Sequence, residues 1–200
     1  MASESPMLGL RLPTDPRWVE LVESNVSEIL TDHAWCEQKA ASNAITLMVN
    51  NPDKMELVEA MSALAQEELQ HFNMVVDRIK ERGWALGPER KDDYVRELAK
   101  FMKGGGSRTS QLIDRLLFAA MIEARSCERF RMLSERVSDP GLREFYRELM
   151  ISEAGHYTMF LKFARKYATE DIDVDARWQA FLDYEAELIS RYGKKETIHG

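Results

Sequence analysis

The sequence predicts an all-α chain: a four-helix bundle with a long crossover between its second and third helices, and a flanking helix at each end. Three observations predict it. Apolar residues recur at helical spacing over four long stretches, and the stretches are separated by the breakers Asn50-Asn51-Pro52, Gly83 and Ser138-Asp139-Pro140. A lone glutamate is followed by Glu-x-x-His twice, Glu37 by Glu68-Leu-Gln-His71 and Glu123 by Glu153-Ala-Gly-His156, at offsets of 31 and 30 residues. The connection between the two copies, residues 84–108, is too long for a hairpin and suits a crossover between parallel helices.

The elements follow in order. The first dozen residues carry no periodicity and are expected to be a loose arm. Asp15-Pro16 reads as an N-cap followed by proline, opening a helix with Trp18, Val19, Leu21 and Val22 and a break near 24–27. From Ser27 to Val49, residues Ile29, Leu30, Ala34, Ala41, Ala44, Ile45 and Met48 form an apolar stripe, with Glu37 in its middle. The second bundle helix, about Asp53 to Arg82, carries Met61, Leu64, Ala65, Phe72, Val75, Val76 and Ile79 on the same stripe as Glu68 and His71. The crossover holds a short amphipathic helix around Asp92 to Met102 and a glycine hinge, Gly104-Gly105-Gly106, which lacks the Gly-Lys-Ser/Thr ending of a phosphate loop. The third helix, roughly Ser110 to Val137, aligns Leu116, Ala119, Ala120, Glu123, Cys127 and Phe130. The fourth, about Gly141 to Tyr167, aligns Leu149, Met150, Glu153, His156, Phe160 and Phe163. A last helix near Asp175 to Tyr192 is expected outside the bundle, and the tail from Lys194 to Gly200 is expected to be disordered, which discounts His199. Length suits one domain over 1–200, with a bundle core of about 27–167.

Residues i and i+3 share a helix face, so Glu68 with His71, and Glu153 with His156, each aim a carboxylate and an imidazole at one spot. Glu37 in an apolar stripe is costly to bury unless something pairs with it. Glu67 is a rival to Glu68, but it stands four residues from His71 and the matching copy has Ile151-Ser152 there. Two lone glutamates and two Glu-x-x-His pairs are the ligand set of ferritin-like carboxylate proteins. The plain alternative, surface carboxylates with two core histidines, does not explain the repeated spacing. Four carboxylates and two imidazoles carry a formal charge of -4, which suits two divalent ions of iron or manganese, with His71 and His156 on different metals and the bridging carboxylates left open. His33, one turn before Glu37, is a candidate to support that ligand from behind.

Composition narrows the class. With 44% apolar and 30% charged residues and no long apolar run, the chain is expected to be a cytoplasmic globule with no membrane partner. The start, Met-Ala-Ser-Glu-Ser-Pro, has no signal-peptide pattern. Cys36 and Cys127 alone make neither a disulfide framework nor a Cys-x-x-Cys iron centre, and Cys127 reads as a small core residue. A net charge of -7 argues against a strongly basic nucleic-acid binder while leaving room for a local basic patch.

Four segments carry a more specific signal: Asp32-His-Ala-Trp-Cys-Glu37-Gln-Lys-Ala-Ala41, Glu67-Glu-Leu-Gln-His71-Phe, Ile122-Glu-Ala-Arg-Ser-Cys-Glu-Arg-Phe130 and Phe145-Tyr-Arg-Glu-Leu-Met-Ile-Ser-Glu-Ala-Gly-His156-Tyr157. They resemble the tRNA hydroxylases of the MiaE type over residues 27–167. The resemblance implies an oxygen-dependent non-haem diiron monooxygenase that hydroxylates the isopentenyl group of 2-methylthio-N(6)-isopentenyladenosine in tRNA. It implies two iron ions and O2, tRNA as partner, and an electron-donating reductase or ferredoxin. All six ligand positions match.

On that reading, Ala41, Ala120, Cys127, Phe130 and Phe160 are the expected prenyl pocket, and the bare helix position Gly155 is a departure that a wider entrance would explain. Arg90, Lys91, Arg96, Lys100, Lys103 and Arg108 in the crossover, and Lys162, Arg165 and Lys166 late in the fourth helix, are the candidates for tRNA docking, with acids among the first group. The competing class is ferritin- or rubrerythrin-like iron oxidation, storage or peroxide detoxification, in which a storage protein assembles as a cage. The expectation here is a monomer, since no long apolar stripe is left over.

Overall fold

The computed structural model describes residues 6–192 and 197–199. Among these, regular structure is helical throughout: α1 Arg17–Ser24, α2 Val26–Asn50, α3 Met55–Glu81, α4 Asp93–Ala99, α5 Arg108–Arg136, α6 Pro140–Tyr167 and α7 Val174–Tyr192, preceded by a 3-10 turn at Met7–Gly9. No helix among the described residues is long and apolar enough to cross a membrane. The helices fall into two compact units, each built on one long hairpin.

The first unit holds described residues 24–91 with Thr197 and Ile198. Its hairpin is α2 packed on α3. The α2 end is closed by Asn51, whose side chain donates to the Leu47 carbonyl at 2.9 Å. The α3 end is a Schellman cap: Gly83 sits at φ +71°, its N–H reaches the Lys80 carbonyl at 2.8 Å, and the Trp84 N–H reaches Ile79 at 3.1 Å. Beyond it the chain runs back along α2, where the Trp35 indole donates to the Gly87 carbonyl at 3.0 Å and Arg90 pairs with Glu28 at 3.1 Å.

The second unit holds described residues 6–23, 92–192 and His199. Asp92 caps α4, Ser107 caps α5, and Asp139 followed by Pro140 caps α6, each side chain accepting backbone N–H groups of the first turn. The Ser107 cap starts α5 two residues before the point that apolar periodicity marks. Gly105 and Gly106, at φ +91° and +84°, make the turn into that cap. α5 packs along α6 and is also contacted by α7, α4 and the Met7–Gly9 turn. Its charged residues Arg125, Glu128 and Arg129 are consequently buried, with Arg129 stacked 4.1 Å over Trp18.

Two expectations are corrected. Residues 1–5 lie outside the described residues, but residues 6–12 are not a loose arm: Leu10 is buried, as is Thr14 just beyond, and Arg11 pairs with Asp183 on α7 at 2.8 Å. Residues 197–199 are not a disordered tail either. Residues 194–196 and 200 lie outside the described residues, but Thr197, Ile198 and His199 are buried. The Ile198 N–H donates to Asp32 at 2.7 Å. His199 lies 3.0 Å from the Ser126 hydroxyl and 3.4 Å from Asp92, stacked on Tyr94.

Candidate metal centre

In the first unit Glu37 comes from the middle of α2, and Glu68 and His71 from successive turns of α3. All three are buried, and one ligand atom of each lies within 4.8 Å of those of the other two. His71 Nδ1 is 3.3 Å from Glu68 Oε2 and 3.8 Å from Glu37 Oε2. Behind Glu37, His33 is wholly buried with Nε2 2.5 Å from Glu37 Oε1, the contact that its position one turn earlier predicts. Glu67 is exposed and stays 3.9 Å from His71 Nε2, on the outer side of that ring.

The second unit repeats the arrangement. Glu123 of α5 and Glu153 and His156 of α6 are buried with ligand atoms within 4.8 Å of one another, and His156 Nδ1 is 3.4 Å from Glu153 Oε2. Two carboxylates converging out of water repel each other unless a cation or protons stand between them. Two oxygens and one imidazole nitrogen are a donor set for a divalent ion of hard to borderline character, so each half-site fits one such ion.

Comparison with known proteins decides the family. The sequence model described as tRNA-(MS[2]IO[6]A)-hydroxylase (MiaE) matches residues 4–200. The chain belongs to the MiaE family. A curated relative in Pseudomonas putida, named tRNA 2-(methylsulfanyl)-N(6)-isopentenyladenosine(37) hydroxylase, is 38% identical over 95% of this chain and 91% of its own length. A Salmonella typhimurium protein of the same name is 29% identical over 98% of the chain and 89% of its length. A solved structure described as Protein 43 with aldehyde deformylating oxygenase activity from Synechococcus superposes with a TM-score of 0.87 at 34% identity, covering 96% of this chain and 95% of the other. The fold is therefore ferritin-like, the chain is an enzyme of the MiaE family, and the buried carboxylate and histidine clusters fit the diiron centre of that fold.

Of the residues expected to form a prenyl pocket, Ala120, Cys127, Phe130 and Phe160 are buried in the second unit, and Ala41 is buried on α2 in the first. Ala120 and Cys127 flank Glu123 by one turn on either side. The Cys127 thiol donates to the Met150 carbonyl at 3.4 Å, and burial first, then the Glu153 and Glu128 carboxylates, push it up to about 12. Phe130 tilts against Tyr146 with ring centroids 5.2 Å apart. Gly155 is exposed, and a Cβ built on it would meet nothing within 4 Å, so its missing side chain opens onto free space.

The basic candidates divide. In the crossover, Arg90 is paired with Glu28, Arg96 with Asp93 and Lys100 with Glu97, while Lys103 gives its backbone N–H to Asp114 and Lys91 and Arg108 are exposed. Lys162, Arg165 and Lys166 are exposed on the last turns of α6, with Arg165 paired to Asp175 at 2.8 Å.

Sequence reasoning missed the buried polar network behind α5. Arg125 donates to Glu185 at 2.9 Å and to the Leu12 carbonyl at 3.1 Å, and the Tyr94 hydroxyl donates to the same Glu185 oxygen at 3.0 Å. Burial lowers the Arg125 guanidinium, but the Glu185 charge and hydrogen bond, with Tyr94 and Glu128, together outweigh it and hold the group above its ordinary value. Tyr94 is pushed well up by burial and then by Glu185. These partners are 60 or more residues apart, and no local pattern announces them.

Proposed function

We propose that this chain is an oxygen-dependent diiron monooxygenase that hydroxylates the isopentenyl group of 2-methylthio-N(6)-isopentenyladenosine in tRNA. The observation that carries the reading is the buried Glu, Glu, His half-site repeated on two hairpins of a MiaE-family chain. Glu37, Glu68 and His71 would hold one iron and Glu123, Glu153 and His156 the other. The bound iron pair supplies activation of O2 for insertion of one oxygen atom into a C–H bond, with electrons from a reductase or ferredoxin.

The protein's own residues do the rest. His33 fixes the orientation of Glu37 through its 2.5 Å contact, as outer partners of metal ligands do. Ala120 and Cys127 are small residues one turn from Glu123, and with the buried Phe130 and Phe160 they would give a prenyl chain an apolar, water-poor surrounding. The modified base lies in a single-stranded loop, so its chain can be splayed toward the site without melting a duplex. Lys162, Arg165 and Lys166, with Arg90, Lys91, Lys100 and Lys103, are the proposed docking surface for backbone phosphates. Of these, Arg90, Lys100 and Arg165 are also paired with acids. The protein is proposed to act as a cytoplasmic monomer.

The test is nucleoside mass spectrometry on prenylated tRNA incubated with iron-loaded, reduced protein and oxygen. The expected product is the prenyl adenosine with one added oxygen, absent for Glu68→Ala. The Synechococcus structure favours a second reading, deformylation of an aldehyde on the same half-sites; turnover of aldehyde with untouched tRNA would select it.

A further inference from the structure

The opening residues make an unusual approach to the second half-site. Leu8 has φ +52°, the left-handed region that a branched side chain rarely occupies, and Gly9 follows at +79°. Such backbone persists only when its surroundings hold it, and outliers of this kind gather at functional sites. Here the holding groups are explicit. The Met7 N–H donates to Glu128 Oε2 at 3.1 Å and the Thr14 N–H to Glu128 Oε1 at 3.4 Å. Arg131 grips both carboxylate oxygens at 3.0 and 3.1 Å, and the Tyr157 hydroxyl donates to the Leu8 carbonyl at 3.2 Å.

These anchors sit beside the ligands. Glu128 and Cys127 follow Glu123 by little more than one turn of α5, and Tyr157 directly follows His156 on α6. The Met7 thioether lies 4.0 Å from the Cys127 sulfur, whose thiol donates to the Met150 carbonyl of α6 at 3.4 Å. The root of the segment is buried at Leu10 and Thr14, whereas Met7 and Leu8 are half-buried and Gly9 is exposed.

We propose that residues 6–9 form a cover, hinged at Leu10 and clasped by Glu128, that seals the α5 and α6 wall of the Glu123, Glu153, His156 half-site against water. Glu128 is a positioning residue: it acts through Met7 and the cover. The sealing role rests on the hydroxylase reading only for what is shielded, since a dry wall prevents oxidising power from being lost to solvent.

Cys127 is the built-in reporter. In the full-length protein as purified, without tRNA, alkylation of Cys127 by iodoacetamide is followed by peptide mass spectrometry, with Cys36 as internal control. Glu128→Gln leaves one acceptor oxygen for the Met7 and Thr14 N–H groups and Arg131, and Met7→Ala removes the thioether while leaving the clasp. Each is expected to raise the Cys127 rate by about tenfold or more through local opening, with the Cys36 rate and helix content unchanged. If Glu128→Gln does not fold, Met7→Ala decides. Equal Cys127 rates in the variants and the parent would overturn the cover. With tRNA present, Glu128→Gln should consume more O2 per hydroxylated nucleoside at equal iron content. A reactive Cys127 with unchanged coupling would overturn the sealing role, and the hydroxylase reading would still stand.

Discussion

Replacing Glu185 by alanine removes the carboxylate that pairs with the fully buried Arg125 guanidinium. Arg125 reaches it through Nε at 2.9 Å and Nη2 at 2.7 Å, and the Tyr94 hydroxyl at 3.0 Å, with all three side chains sealed from solvent. Breaking a buried ion pair from one side costs about 3–5 kcal/mol, and leaving a buried hydroxyl without its acceptor about 1–3 kcal/mol. The two are not additive, and Arg125 keeps the Thr14 hydroxyl and the Leu12 carbonyl, so we expect a total of about 4–6 kcal/mol. For a chain of this length that is a fall in melting temperature of about 8–24 °C. Urea unfolding followed by far-ultraviolet circular dichroism measures it. The triple change Arg125→Met, Glu185→Met, Tyr94→Phe should recover at least half of the loss, because an apolar isostere of a buried pair is close to neutral. A Glu185→Ala loss below about 1 kcal/mol would mean that water reaches the cluster, and would refute the reasoning.

Three further outcomes are expected. Gly155→Ala should stabilise the protein by about 0.5–1 kcal/mol in the same unfolding assay, since the position is helical and exposed and the added methyl meets nothing. Burial raises the Asp92 carboxyl, but the His199 hydrogen bond and charge and the Val95 and Tyr94 N–H groups outweigh it and hold the group below its ordinary value. A depressed carboxyl stabilises above its unfolded value of about 4 and loses that contribution as pH falls through the folded one, so Asp92→Asn should flatten the acid limb of stability against pH below about 4. His33→Phe should weaken iron binding by about 10- to 100-fold in a competition titration, with helix content retained, because it removes the group that orients Glu37.

Much of this molecule is readable from local pattern. The breakers Asn51, Gly83 and Pro140 end or begin helices where their backbone chemistry requires, and Glu37 was conspicuous as a carboxylate inside an apolar stripe. The i, i+3 spacing of Glu68 with His71 and of Glu153 with His156 is enough to say which side chains share a helix face. Arg125, Glu128 and Glu185 were not readable, because a charged residue on a helix looks like surface until the helices that cover it are known. His199 was lost for a related reason: a polar residue near a chain end carries no period, and its partners Asp92 and Ser126 lie far off in sequence. The positive φ of Leu8 has no signature in a leucine. What local pattern misses is the set of contacts that reach across the fold, and those contacts hold the α5 wall of the half-site in place.

The central claim is most directly tested by reacting the iron-loaded, reduced protein with prenylated tRNA under oxygen-18 gas and weighing the released nucleoside. One oxygen-18 atom on the isopentenyl group, absent when Glu68 or Glu153 is replaced by alanine, is the predicted result. A nucleoside that gains no oxygen, or gains it from water, would contradict the account.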